Sequence, residues 1–117
     1  MRIFHLRTAY FKMVETGKKT VEGRLKKPEL KVLKVGDKIR FQDNSHSKSF
    51  VDVKIISLNA YPTFREMLQK EGLHRCLPDL NSLEEGVDIY HSFPSYREKE
   101  KLLGVLAIGI QKLGDKV

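Results

Sequence analysis

Four of the eight residues in Gly17-Lys18-Lys19-Thr20-Val21-Glu22-Gly23-Arg24 are charged, and they directly follow a helix stop. Two lysines, a carboxylate and an arginine so close together can hold a phosphate, a base edge or an amide carbonyl. Amide hydrolysis would need a base, a nucleophile or activated water, and a group that stabilises an oxyanion. Lys19, desolvated in a cleft, would serve as base or as activator of a nucleophile. Glu22 would orient it or act as the base, and Arg24 would meet the oxyanion. Read as a strand, the stretch puts Lys18, Thr20, Glu22 and Arg24 on one face and Lys19, Val21 and Gly23 on the other. A bulge is then needed to bring Lys19 to the rest. Two plainer readings compete: an edge strand charged against aggregation, and a Glu22–Arg24 or Glu22–Lys18 ion pair along one face.

Rings and further charges are candidates to complete a site. Tyr61, Phe64, Tyr90 and Tyr96 are able to stack a base. Phe64 falls on the apolar side of its helix, which favours the core, and Tyr90 does so less severely. Arg65 lies off that apolar side and is the better ligand candidate. His5, His46, His74 and His91 lack metal spacing, and His74-x-Cys76 is a lone pair of possible ligands, so no metal and no cofactor are expected. Cys76 is the only cysteine, which excludes an intrachain disulfide and fits a reducing, intracellular (cytoplasmic or nuclear) setting.

The chain has 117 residues and a net charge of +7, and the charge is unevenly placed. Residues 1–42 carry 12 Lys/Arg against 4 Asp/Glu, a net of +8; residues 43–117 carry 10 against 11, a net of −1. A basic surface around the opening stretch favours a polyanion, most simply RNA; the alternative is that Lys26, Lys27, Lys31, Lys34 and Lys38 are only solubilising. No run of 18 apolar residues is present, so no membrane span is expected. The N-terminus lacks a signal-peptide pattern. The length suits one domain, 1–117, expected as a monomer.

The elements must position these groups. Residues 1–7 read as a short strand. Thr8 is placed to cap a helix running to Thr16, and Gly17 is a natural residue to end it. Pro28 breaks the basic strand, Gly36-Asp37 is a turn, and Lys38–Gln42 alternates as a strand. A polar loop over 43–49 leads to a strand from Phe50 to Leu58. Three capping boxes, Thr63…Glu66, Ser82…Glu85 and Ser95…Glu98, announce three helices. Leu102 to Ile110 is apolar on both faces and reads as a buried, central strand. The order suggests an α+β, mainly β domain built on a small mixed or antiparallel barrel with flanking helices.

The sequence resembles the ASCH domain family of the PUA-like superfamily. Gly17, Lys19, Glu22 and Arg24 match a G-x-K-x-x-E-x-R pattern. Val35-Gly36-Asp37-Lys38-Ile39, Tyr61-Pro62-Thr63-Phe64-Arg65 and Tyr90 through Gly104-Val105-Leu106-Ala107-Ile108 follow in the same order. The resemblance implies a five- or six-stranded β-barrel with a cleft between the motif strand and the later helices. It implies binding of RNA or a modified nucleoside there, with Lys19, Glu22 and Arg24 on the family pattern and Lys19 and Glu22 as catalytic candidates; residue type and position add Lys18, Arg65, Tyr61, Tyr90 and Tyr96 to Arg24 as expected ligand-binding residues. Other ASCH proteins are proposed as coactivator-type, protein-interaction modules. One small bacterial group hydrolyses the acetyl amide of N4-acetylcytidine with a Lys, a Thr and a Glu. Its Lys falls at Lys19, its Glu would fall between Glu71 and Asp79, and its Thr falls at Glu22, a departure. The resemblance therefore points first to binding, with amide hydrolysis as the alternative.

Overall fold

The computed structural model describes residues 1–114; the last three residues of the expected 1–117 domain lie outside the described residues. Strand β1 (Arg2–Leu6) leads into helix α1 (Thr8–Glu15). Strand β2 (Val21–Leu25), a 3-10 turn at Pro28–Val32, β3 (Lys38–Asp43) and β4 (His46–Tyr61) follow. Helices α2 (Phe64–Glu71), α3 (Leu73–Cys76), α4 (Leu83–His91) and α5 (Tyr96–Leu103) precede the last strand, β5 (Val105–Lys112). The five strands form one sheet in the order β1-β3-β4-β5-β2, with β1 and β3 parallel and the other pairs antiparallel. The sheet curls into a half-barrel whose two ends, β1 and β2, are edges and are not paired with each other.

β5 divides the interior. Residues 105–110 are all buried, and their alternation serves two cores. Leu106, Ile108 and Ile110 face the inside of the curl with Phe4, Phe41, Val53 and Phe11 of α1. Val105 and Ala107 face outward against Phe64, Met67, Leu68, Val87 and Tyr90 of the later helices. That double burial is why the segment has no polar face. The same alternation governs β2: Val21 and Leu25 join the outer core, while Glu22 and Arg24 pair with Ile108 and Leu106 and take the inner side.

Several local expectations are corrected. Thr8 does not cap α1; its hydroxyl donates to Asp43 at 2.6 Å and ties the helix start to the β3–β4 turn. The hairpin is tighter than a 43–49 loop, because the Asp43 carboxylate accepts from the Ser45 N–H at 2.9 Å, and β4 starts at His46 rather than Phe50. Two capping boxes form, with Thr63 accepting from Glu66 N–H and Ser82 from Glu85 N–H. The third does not: Ser95 sits at φ 67 with no side-chain cap. Leu102 and Leu103 belong to the end of α5, and the strand begins one residue after Gly104, whose φ of 73 stops the helix.

Candidate functional site

The basic strand begins three residues later than alternation from Gly17 suggested, and this decides the site. Gly17, at φ 82, turns the chain out of α1. The Lys19 N–H then donates to Met13 O and the Thr20 N–H to Arg75 O, both at 2.9 Å, so Lys19 lies outside the ladder and only the Thr20 carbonyl reaches β5, accepting from the Ile110 N–H. The period-2 rule therefore does not reach Lys19. Its Nζ donates to Cys76 O at 2.5 Å and Val21 O at 2.8 Å and stands 3.2 Å from Glu22 Oε1. An ammonium has three donors, and all three are committed in a place where the side chain is 2% exposed.

Glu22 is held from both sides. Arg24 Nε donates to its Oε2 at 2.6 Å. Burial pushes the Glu22 carboxyl up, but Arg24 and Lys19 outweigh it and hold it below the usual carboxylate range. Burial likewise works against the Arg24 charge, and Glu22 reverses the effect, so the guanidinium is more firmly cationic than usual. Arg24 Nη2 donates to His5 O at 3.1 Å, across the gap between β2 and β1. Its guanidinium lies 4.8 Å over the Phe4 ring. Nη1 has no partner among the described residues.

A cavity of about 370 Å³ opens over this group, between the edges of β1 and β2 and the later helices. Lys19, Glu22, Gly23 and Arg24 form one side. Tyr10, Tyr90, Phe93 and Tyr96 form an aromatic side, and His5, Arg7 and Asn44 a polar rim. The rings are ordered by packing. Tyr90 stacks on Phe64 with centroids 4.2 Å apart and planes 6° apart, and Tyr96 stacks on the same ring at 5.8 Å. Phe93 meets Tyr96 edge-on at 5.2 Å, with Arg7 4.8 Å above Phe93. Burial raises the Tyr90 phenol well above its ordinary value, which keeps it a neutral donor. The Tyr90 and Tyr96 hydroxyls have no hydrogen-bond partner among the described residues.

The structure brings Lys19, Glu22, Arg24, Tyr90 and Tyr96 to one cavity and leaves the other candidates elsewhere. Lys18 is exposed and outside it. Tyr61 donates to Glu71 Oε2 at 2.5 Å, a bond that, with burial, raises its phenol to about 12. Asn59 binds the same oxygen at 3.0 Å, so the Glu71 carboxylate is committed away from the cavity. Burial first, and then the Asp79 carboxylate, raises the phenol of Tyr10 in the cavity wall. Arg65 makes a two-pronged pair with Glu84 on the surface. Phe64 is fully buried core. Among the described residues no three His, Cys, Asp or Glu side chains gather as metal ligands. Sequence reasoning missed His5, Arg7, Tyr10, Asn44 and Phe93. Tyr10 had a signal, its i,i+4 pairing with Val14, but that pairing indicated core rather than cavity.

A mixed five-stranded half-barrel with flanking helices is consistent with a PUA-like α+β fold. Residues 4–114 match the ASCH domain, and the chain belongs to the ASCH domain family, whose fold is often linked to RNA binding. Among solved structures, the chain is similar to the hypothetical protein PH0355, at 38% identity and a TM-score of 0.85, over 97% of this chain and 100% of that one. It is also similar to protein PF0455 from Pyrococcus furiosus, at 37% identity and a TM-score of 0.77, over 97% and 98%. The ASCH protein from Zymomonas mobilis shares the fold at 15% identity and a TM-score of 0.64, over 93% of this chain and 65% of that one. A comparison with functionally curated proteins gives no match.

Proposed function

We propose that the cavity binds a base of RNA or a modified nucleoside, without fast chemistry. The observation that carries this reading is the placement of Arg24 beside Tyr90 and Tyr96. A cation with an unpaired Nη1 stands next to ordered rings in a space of about 370 Å³. Rings of this kind stack bases, and an arginine fixed by a carboxylate is a preorganised donor to a carbonyl or ring nitrogen. The +8 charge of residues 1–42 adds a long-range attraction for the phosphate backbone.

Amide hydrolysis has less support. Lys19 has no donor left to exchange, and Glu22 is ion-paired through both oxygens. A general base must be within reach of the proton it takes and free to take it. A carboxylate at position 22 would also repel a developing oxyanion.

Calorimetric titration with the four ribonucleosides, N4-acetylcytidine and short single-stranded RNA tests the reading. Binding is expected to weaken at least about tenfold in Arg24→Gln and in Tyr96→Ala, the loss of one charge-assisted bond or one stacking contact. Unchanged binding in both variants, or none in the parent protein, overturns it. Release of cytidine from N4-acetylcytidine that vanishes in Lys19→Ala would establish the hydrolase instead.

A further inference from the structure

A second hollow, of about 200 Å³, lies beside the cavity and shares Arg24 and Tyr96 with it. It is lined by residues of β1, β2 and the 3-10 turn, and Arg2, Lys27 and Glu29 complete its polar lining. Three cations thus face one carboxylate. Arg2 Nη2 donates to the backbone oxygen of Glu29 at 2.9 Å, which fixes that guanidinium on the hollow's edge. Lys27 is partly buried, and its ammonium has no hydrogen-bond or ion-pair partner among the described residues.

A lysine with a part-covered stem and no acceptor of its own is free to meet an anion. Here it stands in a hollow that continues a base-sized cavity, past a guanidinium common to both. The polar groups on the two sides also differ in kind. The cavity offers rings and Arg24 with its unpaired Nη1, which suit a base. The hollow offers Lys27, Arg2 and a share of Arg24, which suit a phosphate, the group that lysine and arginine bind without regard to sequence.

We infer that the ligand is a nucleotide within a single strand, with a neighbouring phosphodiester held in this hollow by Lys27 and Arg2. This rests on the base-binding reading of the cavity and adds to it that a free nucleoside is only part of the ligand. Arg24, which lines both spaces, then stands between the base and its phosphate. Tyr96, which lines both spaces, stacks the base where they meet.

The experiment compares the ribonucleosides, their 3′- and 5′-monophosphates, and RNA pentamers of each base, on the parent protein and on Lys27→Gln and Glu29→Gln. The pentamer of the preferred base should bind at least about tenfold more tightly than its nucleoside, with a monophosphate between them. Lys27→Gln should weaken the pentamer about fivefold, reduce its salt slope by about one, and leave the nucleoside unchanged. Glu29→Gln should act in the opposite direction on the pentamer. Equal affinity for nucleoside and pentamer, or a pentamer indifferent to Lys27→Gln, overturns the inference and leaves the cavity reading standing. A pentamer that binds equally well to Arg24→Gln and Tyr96→Ala overturns the cavity reading and this inference with it.

Discussion

Glu22 stands between two cations: its Oε2 accepts from Arg24 Nε at 2.6 Å while its Oε1 lies 3.2 Å from Lys19 Nζ. With the carboxylate 7% exposed, the three charges form a unit in which the middle one is indispensable. Removing one partner of a buried ion pair leaves the other charge uncompensated. Glu22→Gln is expected to cost about 3 kcal/mol in urea unfolding. A loss below about 1 kcal/mol, the scale of an exposed pair, would mean that the unit is solvated.

Acid should dismantle the same unit. Glu22 and Asp43 are both held below the usual carboxylate range, Glu22 by its two cations against the effect of burial, Asp43 first by the Thr8 hydroxyl. A carboxyl whose folded pKa lies below its unfolded value stabilises the fold fully above the unfolded value, about 4, and that contribution is lost as pH falls through the folded value. Thermal melting is expected to hold steady from about pH 7 to 5 and fall below about pH 4. Glu22→Gln should flatten the acid limb. An identical acid limb in the variant contradicts the assignment.

Gly23 is where the strand makes room for a ring. A Cβ there would lie 2.7 Å from the Met67 terminal methyl and 2.9 Å from the Tyr90 hydroxyl. Methionine yields readily, so Gly23→Ala is expected to cost only about 1 kcal/mol in stability, the low end of overpacking. The larger effect should fall on ligand affinity, through displacement of Tyr90. Loss of stability with affinity intact would separate Tyr90 from the binding surface.

Cys76 is fully buried, and burial pushes its thiol up to about 11. Reaction depends on the thiolate. At pH 8 the native protein should therefore resist a thiol-specific disulfide reagent and react at once in denaturant. Rapid stoichiometric reaction of the native protein would show that the seam between α3 and Lys19 opens.

Much of the fold was legible because it is written in local patterns. Thr63 and Ser82 announce their helices by capping, Gly17 ends α1, and the two-sided apolarity of 105–110 marks an interior strand. The site was legible only in part. Alternation correctly puts Glu22 and Arg24 on one side of β2, but it separates Lys19, because no pattern reveals that the strand starts only at Val21. That start depends on backbone bonds to Met13 and to Arg75, which is distant in sequence. Arg65 and Tyr61 looked available as candidates because Glu84 and Glu71, their partners, are brought to them by folding. His5 and Asn44 reach the cavity only because the curl of the sheet brings β1 opposite β2.

The half-barrel resembles a tube slit along its length. In a closed tube, widening the bore means breaking a ladder of backbone hydrogen bonds. Among the described residues, the hydrogen bond between the two lips of this slit is the one from Arg24 Nη2 to His5 O. The molecule is therefore mechanically anisotropic. It is stiff across β3, β4 and β5 and compliant along one line, and that line is the mouth of the cavity. A guest that parts the lips displaces the Arg24 bond to His5 O and its contact with the Phe4 ring, and the guanidinium so freed, still held by Glu22, is the group it came to meet.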